Sequence, residues 1–556
     1  MTNFDRVTLN REIAPHTYLC MTNNRLIDIP TSTANLADNG RIIDPHQVAQ
    51  ANDLVTQTGV LDLLTSWRTP HQRAGHERST VADRVILVGL VLLEGERSSR
   101  SITTLAYLNQ HRLAPESREL LCLPTPEANT GVETARWISR TGDAFHRMLD
   151  RMDPFLQKRG RAFTFTQTQA ALDAHDRDRE QTMKARLDEF TSAFLQMTFR
   201  EQPQNLREGT ISLAIDEMFV ASPSRRGYSR HTLQKNVKKE ATGRVNPARI
   251  VEVFGGWWHR GSAETPNKAW SVSRSVSPKW GWSACIAVVL DSEQPGAPRN
   301  LPLAIGATVS LPSTPPTDGA LNVMSAALRT GMPAGVVHAD KQYFAATPIH
   351  RLATPTADMG FTPSTDYYAK QLGVQAMAHG AECIEGTVYC PQMPRALKDA
   401  SKDFRAGAID RATYRVRIEA RGQFQLEPVG RPDSHGRLRL KCPSTAHERA
   451  DAPTLPQAEI CARRSVTFDK DFDLRYRQAF AYGSPEWAAM FRHATHSSER
   501  LHAGIRDTRH SRRATGALSS VHGLAAAQLA LTIVLTDRNL RTIAAAAARS
   551  EQPAPH

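Results

Sequence analysis

The sequence has few cysteines, few aromatic residues and no long apolar run. Its 7 cysteines are an odd number scattered along 556 residues, which excludes the disulfide framework of a small secreted domain. The most apolar stretches, Val85–Leu93 and Leu524–Leu535, are shorter than the ~20 residues that a membrane-spanning helix needs. Met1 to Asn24 lacks the apolar core of a signal peptide. We therefore expect a soluble, cytoplasmic protein.

Positive charge is in surplus. The chain has 69 Lys and Arg against 56 Asp and Glu, a net charge of +13. Such a surplus favours a polyanionic partner such as DNA, because each neutralised phosphate releases condensed counterions. A basic surface that serves solubility alone is the alternative. A chain of this length predicts about two to four domains.

The first part of the chain has helical periodicity. We assign no firm structure to residues 1–50 and interpret residues 1–205 as a mainly helical region for DNA binding or oligomerisation. A packing or dimerisation domain is an equally good interpretation, since no recognition helix stands out. Apolar residues at three- and four-residue spacing predict helices at Asp53–Trp67, Val81–Leu93, Ile102–Leu113, Val132–Met152 and Glu180–Arg200.

Alternation replaces this periodicity after Gly209. Ile211, Leu213 and Ile215 mark one face of a strand. Three strands, a helix and a strand, with an acid at each end of the series, follow the order of an RNase H-like domain. We therefore predict an α/β fold with an RNase H-like mixed-sheet catalytic domain at 206–379 and 471–550, interrupted by an irregular Cys- and Pro-containing insertion at 380–470. The other elements predicted here are strands at Arg249–Trp257, Ser283–Leu290, Gly335–Ala339 and Val374–His379, and helices at Leu321–Arg329, Pro485–Ile505 and Ala514–Ala547.

Three acids occupy positions suited to metal binding. Asp216 lies on the first strand, on the face opposite the apolar row, whereas Glu217 points the other way if the strand is regular. Asp340 ends the strand at Gly335–Ala339, where rigid backbone meets solvent. Glu499 lies on a polar helix face among Arg and His residues. The pattern predicts Asp216, Asp340 and Glu499 as catalytic metal ligands.

The chemistry of phosphodiester cleavage and joining explains a need for three carboxylates. Two Mg²⁺ ions ~3.5–4 Å apart activate the attacking oxygen and neutralise the leaving one, and hard oxygen ligands hold such ions. Asp216 would bridge the pair, with Asp340 and Glu499 each completing one ion, and Mn²⁺ is an expected substitute. Glu486 and Asp507 are the alternatives for the third acid.

The same residues resemble those of actinobacterial insertion-sequence transposases with a DDE catalytic domain, best over residues 209–545. The resemblance implies Mg²⁺-dependent cleavage at element ends and strand transfer, with Glu499 as the third catalytic acid. It also implies double-stranded DNA as partner, a homo-oligomer on that DNA, and a place near the bacterial nucleoid. The motifs that carry it are Ile215–Asp216, Val337–Phe344, Gly360–Tyr367, Tyr389–Pro394, Lys441–Pro443, Ile460–Cys461, Ser465–Thr467, Tyr476–Phe480, Tyr482–Trp487, Ser498–Glu499, Arg506–Asp507 and Asp537–Arg541.

The sequence departs from this family at three positions around Glu499. Thr495 replaces an Arg, His502 replaces an Asn, and Arg506 replaces a Lys. The three acids are intact, which favours an active transposase. The departures favour the alternative, a catalytically inactive or domesticated DNA-binding protein. A metal-dependent nuclease that cleaves without joining is the third hypothesis.

Two basic groups are candidate DNA contacts. The first follows the first strand and suggests a loop along the DNA backbone, with a flexible solvated loop as the alternative. The second lies on the late helix beside Glu499. The residues are Arg225, Arg226, Arg230, Lys235, Lys238 and Lys239 in the first group, and Arg492, His502 and Arg506 in the second.

Cysteines in the insertion are candidate zinc ligands. Cys390, Cys442 and Cys461, with Cys383 or His447 as a fourth, could bind structural Zn²⁺. Irregular Cys-Pro spacing is a weaker signal than paired Cys-x-x-Cys motifs, so buried thiols without metal are the alternative.

Overall fold

The structure of the chain is a computed structural model. It describes residues 20–22, 25–27, 40–68, 81–127, 130–156, 160–224, 227–246, 248–258, 279–290, 301–345, 347–443, 458–506 and 518–550.

The chain forms two compact units, each assembled from three segments. Unit 1 comprises Met1–Lys184, Pro223–Phe254 and Arg509–Ile533. Unit 2 comprises Ala185–Ser222, Gly255–Thr508 and Val534–His556. The division does not follow the boundary expected at residue 205, because one long helix and the last helix each contribute to both units.

Unit 1 is mainly helical. Gly59, in the left-handed region at φ 72°, separates its first two helices where the sequence predicted one. Its elements are β1 Cys20–Thr22, β2 Arg25–Ile27, α1 Pro45–Gln57, α2 Val60–Ser66, α3 Asp83–Gly95, α4 Ile102–His111, α5 Pro115–Leu120, α6 Gly131–Asp150, α7 Phe165–Asp173, the start of α8 Arg177–Arg200, and α9 Arg230–Ala241.

The apolar helix α3 forms the centre of unit 1. Val85 to Leu90 are almost fully buried, which explains why this stretch is apolar on every side. It packs against α1, α4 and α6. Glu94 at its end pairs with Arg100, and both side chains are buried.

Unit 2 is a mixed α/β unit. It contains the greater part of α8, and its other elements are β3 Ile211–Ala221, β4 Gly256–Trp258, β5 Lys279–Leu290, β6 Ala304–Ser310, α10 Pro316–Leu328, β7 Ala334–Ala339, α11 Lys341–Phe344, α12 Ala353–Asp358, β8 Thr362–Ser364, β9 Val374–Ala378, β10 Ala381–Ile384, β11 Thr387–Tyr389, α13 Arg395–Lys398, α14 Ala400–Arg405, α15 Arg411–Ala420, β12 Glu427–Pro428, β13 Leu438–Lys441, α16 Glu459–Arg463, β14 Ser465–Phe468, α17 Pro485–Arg506 and most of α18 Leu524–Ser550.

The main sheet of unit 2 has six strands. β3 lies at its centre, with β5 antiparallel on one side and β7 parallel on the other. β6 and β4 pair with β5 in antiparallel orientation, and β8 pairs with β7 in parallel. The path across the sheet is therefore β4, β5, β3, β7, β8, and β6 pairs with β5 beside this path.

Helices cover both faces of this sheet. On one face Leu213 and Ile215 of β3 pack with Val323 of α10 in the larger core. On the other face Ala214 packs with Met490 of α17, in a smaller core. Because side chains alternate along β3, one of its faces packs against α10 and the other against α17. Asp216 lies on the face that α17 covers.

One sequence-predicted strand of this sheet is largely wrong, and one strand was not predicted. The strand expected at Arg249–Trp257 is present at its end alone, as β4, because the preceding residues belong to unit 1, where Ile250 bridges Phe163. The third antiparallel strand is β6, at Ala304–Ser310. It is buried on both faces, so it shows no alternation to detect.

The insertion, together with the strand that directly precedes it, is more regular than the sequence predicted. Two three-stranded antiparallel sheets, β9–β11 and β12–β14, flank helices α13–α15. The predicted strand at Val374–His379 is confirmed as β9. The strands are two to five residues long, too short for a periodic signal in this Pro- and Gly-rich sequence.

Among the described residues, no helix is long and apolar enough to cross a membrane.

Candidate active site

Strand pairing makes Asp216 and Asp340 neighbours. Ile215 of β3 pairs with Ala339 of the parallel strand β7, and each acid is the next residue along its chain. β7 ends at Ala339, whereas β3 continues to Ala221. The two carboxylates therefore follow adjacent positions on rigid strands, at the edge where one strand stops.

Both acids are accessible. The Asp216 side chain is 41% exposed and its Oδ1 accepts a hydrogen bond from the Glu217 amide at 2.8 Å. Asp340 is exposed and caps the short helix α11, its Oδ1 accepting from the Lys341 amide at 2.6 Å. Solvent access is what a catalytic carboxylate requires.

Glu217 faces the opposite side of the sheet. It pairs with Cys285, whose side chain belongs to the larger core. Burial raises the pKa of the Glu217 carboxyl to about 7, and the Asp216 charge adds to the rise. A carboxylate that resists ionisation is a poor ligand for a hard cation, in line with the preference for Asp216.

The start of α17 is anchored beside the end of β8. Tyr482 donates a hydrogen bond from Oη to Oδ1 of Asp366 at 2.6 Å. Gln478 exchanges two hydrogen bonds with the backbone of Thr365, each 3.0 Å. The Trp487 ring stacks on Phe491. Motifs far apart in the sequence thus meet to set the direction of α17.

The middle of α17 lies on β7 and β3. His338 of β7 is 5% exposed, and its ring meets the Phe491 ring edge-on with centroids 4.9 Å apart. Burial lowers the pKa of His338 to about 4, so the imidazole is neutral. Sequence analysis did not single out His338, which acts as a packing residue between strand and helix.

The end of α17 reaches Asp216. His502 Nδ1 lies 3.4 Å from Asp216 Oδ2, and His502 is 7% exposed. The DNA contact expected for His502 does not fit this burial, because its ring is directed at the carboxylate instead. Glu499 is exposed one helical turn earlier, and the i, i+3 spacing puts it on the same side of the helix as His502.

Of the two alternatives for the third acid, Glu486 is remote. It lies in the first turn of α17, 16 residues before His502 in the numbering. At about 1.5 Å per residue, that separation is roughly 24 Å along the helix. Asp507 lies outside the described residues.

The predicted DNA contacts divide into three groups. Arg225 and Arg226 lie outside the described residues, and of Arg506 the backbone alone is described. Arg492 is exposed on α17, with Nε bonded to the Ala488 carbonyl. Exposed cations on α9 make up the third group, Arg230, Lys235, Lys238 and Lys239.

The predicted zinc ligands converge. The sulfur atoms of Cys390, Cys442 and Cys461 lie within 4.8 Å of one another, and all three residues are buried. Cys383 is not in this group: its sulfur contacts Oε1 of Gln375 at 3.9 Å. His447 lies outside the described residues.

Across the part of the chain that the structure describes, these cysteines are the one set of three candidate ligands gathered within 4.8 Å. The oxygens of Asp216, Asp340 and Glu499 are more widely spaced. Such spacing does not suit a single ion bound by all three acids.

Comparison with known proteins finds no match to a protein-family model, a curated protein or a solved structure.

Proposed function

We propose that this protein is a DDE-type transposase that cleaves DNA at element ends and joins it to a target. The observation that carries the proposal is the pairing of Ile215 with Ala339, which brings Asp216 and Asp340 together. The antiparallel strands β3, β5 and β6, with β7 and β8 parallel to β3, support the proposal because an RNase H-like domain is expected to have such a mixed sheet. A late helix over the same sheet face carries the third acid, Glu499.

The acids fit the hard cation that this reaction requires. Asp216 and Asp340 offer oxygen donors that solvent can reach, and Mg²⁺ prefers such donors. Magnesium bound there would activate the attacking oxygen and neutralise the leaving one. Asp216, Asp340 and Glu499 would hold it, while His502 orients the Asp216 carboxylate and the anchored start of α17 fixes the position of Glu499.

The test is cleavage of a labelled duplex that carries the DNA flanking the gene, with Mg²⁺ or Mn²⁺. Asp216→Asn, Asp340→Asn and Glu499→Gln should each abolish nicking while DNA binding, measured by fluorescence anisotropy in Ca²⁺, is retained. A supercoiled target plasmid in the same reaction separates a transposase, which joins ends to it, from a nuclease, which does not.

Two matched controls sharpen the test. Glu217→Gln changes the adjacent acid of the same strand, and Glu486→Gln changes an exposed acid of the same helix. Both should cleave like wild type. Tight binding without cleavage by wild type would favour the inactive, DNA-binding alternative. Cleavage that survives Glu499→Gln would contradict the choice of third acid.

A further inference from the structure

Three cysteines from separate parts of the insertion form one cluster. Cys390 directly follows β11, Cys442 directly follows β13, and Cys461 lies within α16. The Sγ atoms of Cys390 and Cys461 are 3.6 Å apart, far longer than the ~2.05 Å of a disulfide bond. None of these three cysteines is in a disulfide bond.

Main-chain hydrogen bonds fix each of these positions. The Cys390 amide donates to the Phe424 carbonyl and the Cys442 amide to the Arg464 carbonyl, both at 2.8 Å. The Cys461 amide donates to the Ala458 carbonyl at 2.9 Å. Arg464, with φ 60°, turns the chain from α16 into β14. The sulfurs therefore meet because the backbone holds them there, rather than through flexible side chains.

The cluster joins residues that lie next to each of the two small sheets. Cys390 borders the sheet β9–β11, and Cys442 and Cys461 border the sheet β12–β14. Both sheets are built from strands of at most five residues. Their shared core is small, and small β-sheet modules are commonly stabilised by a metal ion or a disulfide.

We propose that Cys390, Cys442 and Cys461 bind a structural zinc ion that ties the two sheets together. Zn–S bonds of about 2.3 Å in a tetrahedron separate two sulfurs by about 3.8 Å, close to the distance between Cys390 and Cys461. Soft thiolates select zinc over the hard cations that carboxylates bind. A fourth donor from another side chain would complete the tetrahedron. This site is independent of the proposed DNA chemistry.

The experiment is metal analysis of the full-length, untagged protein, purified without a metal-affinity resin. Inductively coupled plasma mass spectrometry should find about one zinc per chain, as a closed structural site holds one ion. Cys390→Ser, Cys442→Ser and Cys461→Ser should each lose it. Cys383→Ser is the matched control, a buried thiol of the same region outside the cluster, and it should retain zinc.

Cobalt substitution supplies a readout that does not depend on the variants folding. The wild-type protein loaded with Co²⁺ should show the intense visible bands of tetrahedral thiolate coordination, and added Zn²⁺ should remove them. Wild type that contains no stoichiometric zinc and gives no such bands would overturn the proposal. A disulfide between Cys390 and Cys461, found by mass spectrometry in freshly purified protein, would overturn it as well.

Discussion

The Nδ1 atom of His502 lies 3.4 Å from Oδ2 of Asp216, which links the last turns of α17 to the central strand of the sheet. Since His502 is buried and Asp216 is not, the histidine limits the orientations open to the carboxylate. Because Glu499 lies on the same helix as His502, this contact also fixes the position of Glu499 relative to Asp216.

We expect His502→Leu to raise the Mg²⁺ concentration needed for half-maximal cleavage more than His502→Asn does. Leucine removes the polar partner of Asp216, whereas the asparagine amide can still donate to the carboxylate. Loss of a residue that orients a metal ligand typically costs about 10–100-fold in metal affinity. The measurement is the Mg²⁺ concentration for half-maximal cleavage, with DNA affinity as control. Equal effects of the two substitutions would argue that His502 merely fills space.

Removing the lysines of α9 should flatten the salt dependence of DNA binding. Lys235, Lys238 and Lys239 are exposed on that helix. Each lost phosphate contact lowers the slope of log K against log salt by about 0.9, so the triple alanine variant should lose up to about 2.7. Gln234→Ala, an exposed neutral residue of the same helix, should leave the slope unchanged. An unaltered slope in the triple variant would place the DNA elsewhere.

Arg421→Met should strongly destabilise unit 2. Arg421 donates from Nη1 to Oε2 of the fully buried Glu385 at 2.6 Å, and Ser401 donates to the same oxygen. Removing one partner leaves a buried charge uncompensated, at a cost of about 3–5 kcal/mol. Urea unfolding measures the change.

The matched control for Arg421 is an exposed ion pair in the same region. Arg395 pairs with Asp399 and its side chain is 94% exposed. Arg395→Met should cost less than about 1 kcal/mol, because solvent screens such a pair. Similar losses from both variants would mean that the buried pair contributes no more than a surface one.

Cys383 should resist alkylation while the protein is folded. Burial raises the pKa of its thiol to about 12, with the charge of Asp473 adding to the rise. At pH 8 roughly one thiol in ten thousand would then be ionised, and the thiolate is the reactive form. Timed iodoacetamide labelling with peptide mass spectrometry should modify the exposed Cys122 rapidly and Cys383 only after unfolding in urea. Equal rates in the folded protein would contradict the burial of Cys383.

Elements with a strong period could be predicted from the sequence. The alternation after Gly209 predicted the bounds of β3 to within a residue. The apolar stripe of α17 predicted the bounds of that helix equally well. β6 was missed because a strand buried on both faces carries no alternation. The short strands of the insertion were missed because two to five residues contain too little pattern.

Contacts between distant segments could not be predicted in the same way. Alternation predicts which face Asp216 takes, but its position beside Asp340 depends on the register between β3 and β7. The contact of His502 with Asp216 depends on where α17 crosses the sheet, and the sequence suggested a DNA contact instead. Cys390, Cys442 and Cys461 were named as a group, yet their convergence depends on the pairing of short strands.

The division of the chain into interleaved segments has a consequence for synthesis. The last segment of unit 1 begins at residue 509, and the last segment of unit 2 begins at residue 534. Asn539 of α18 bonds through its side chain to both the amide and the carbonyl of Ala304 in β6. Neither unit is complete while its last segment is still inside the ribosome. A premature stop anywhere before α18 would therefore damage both units at once.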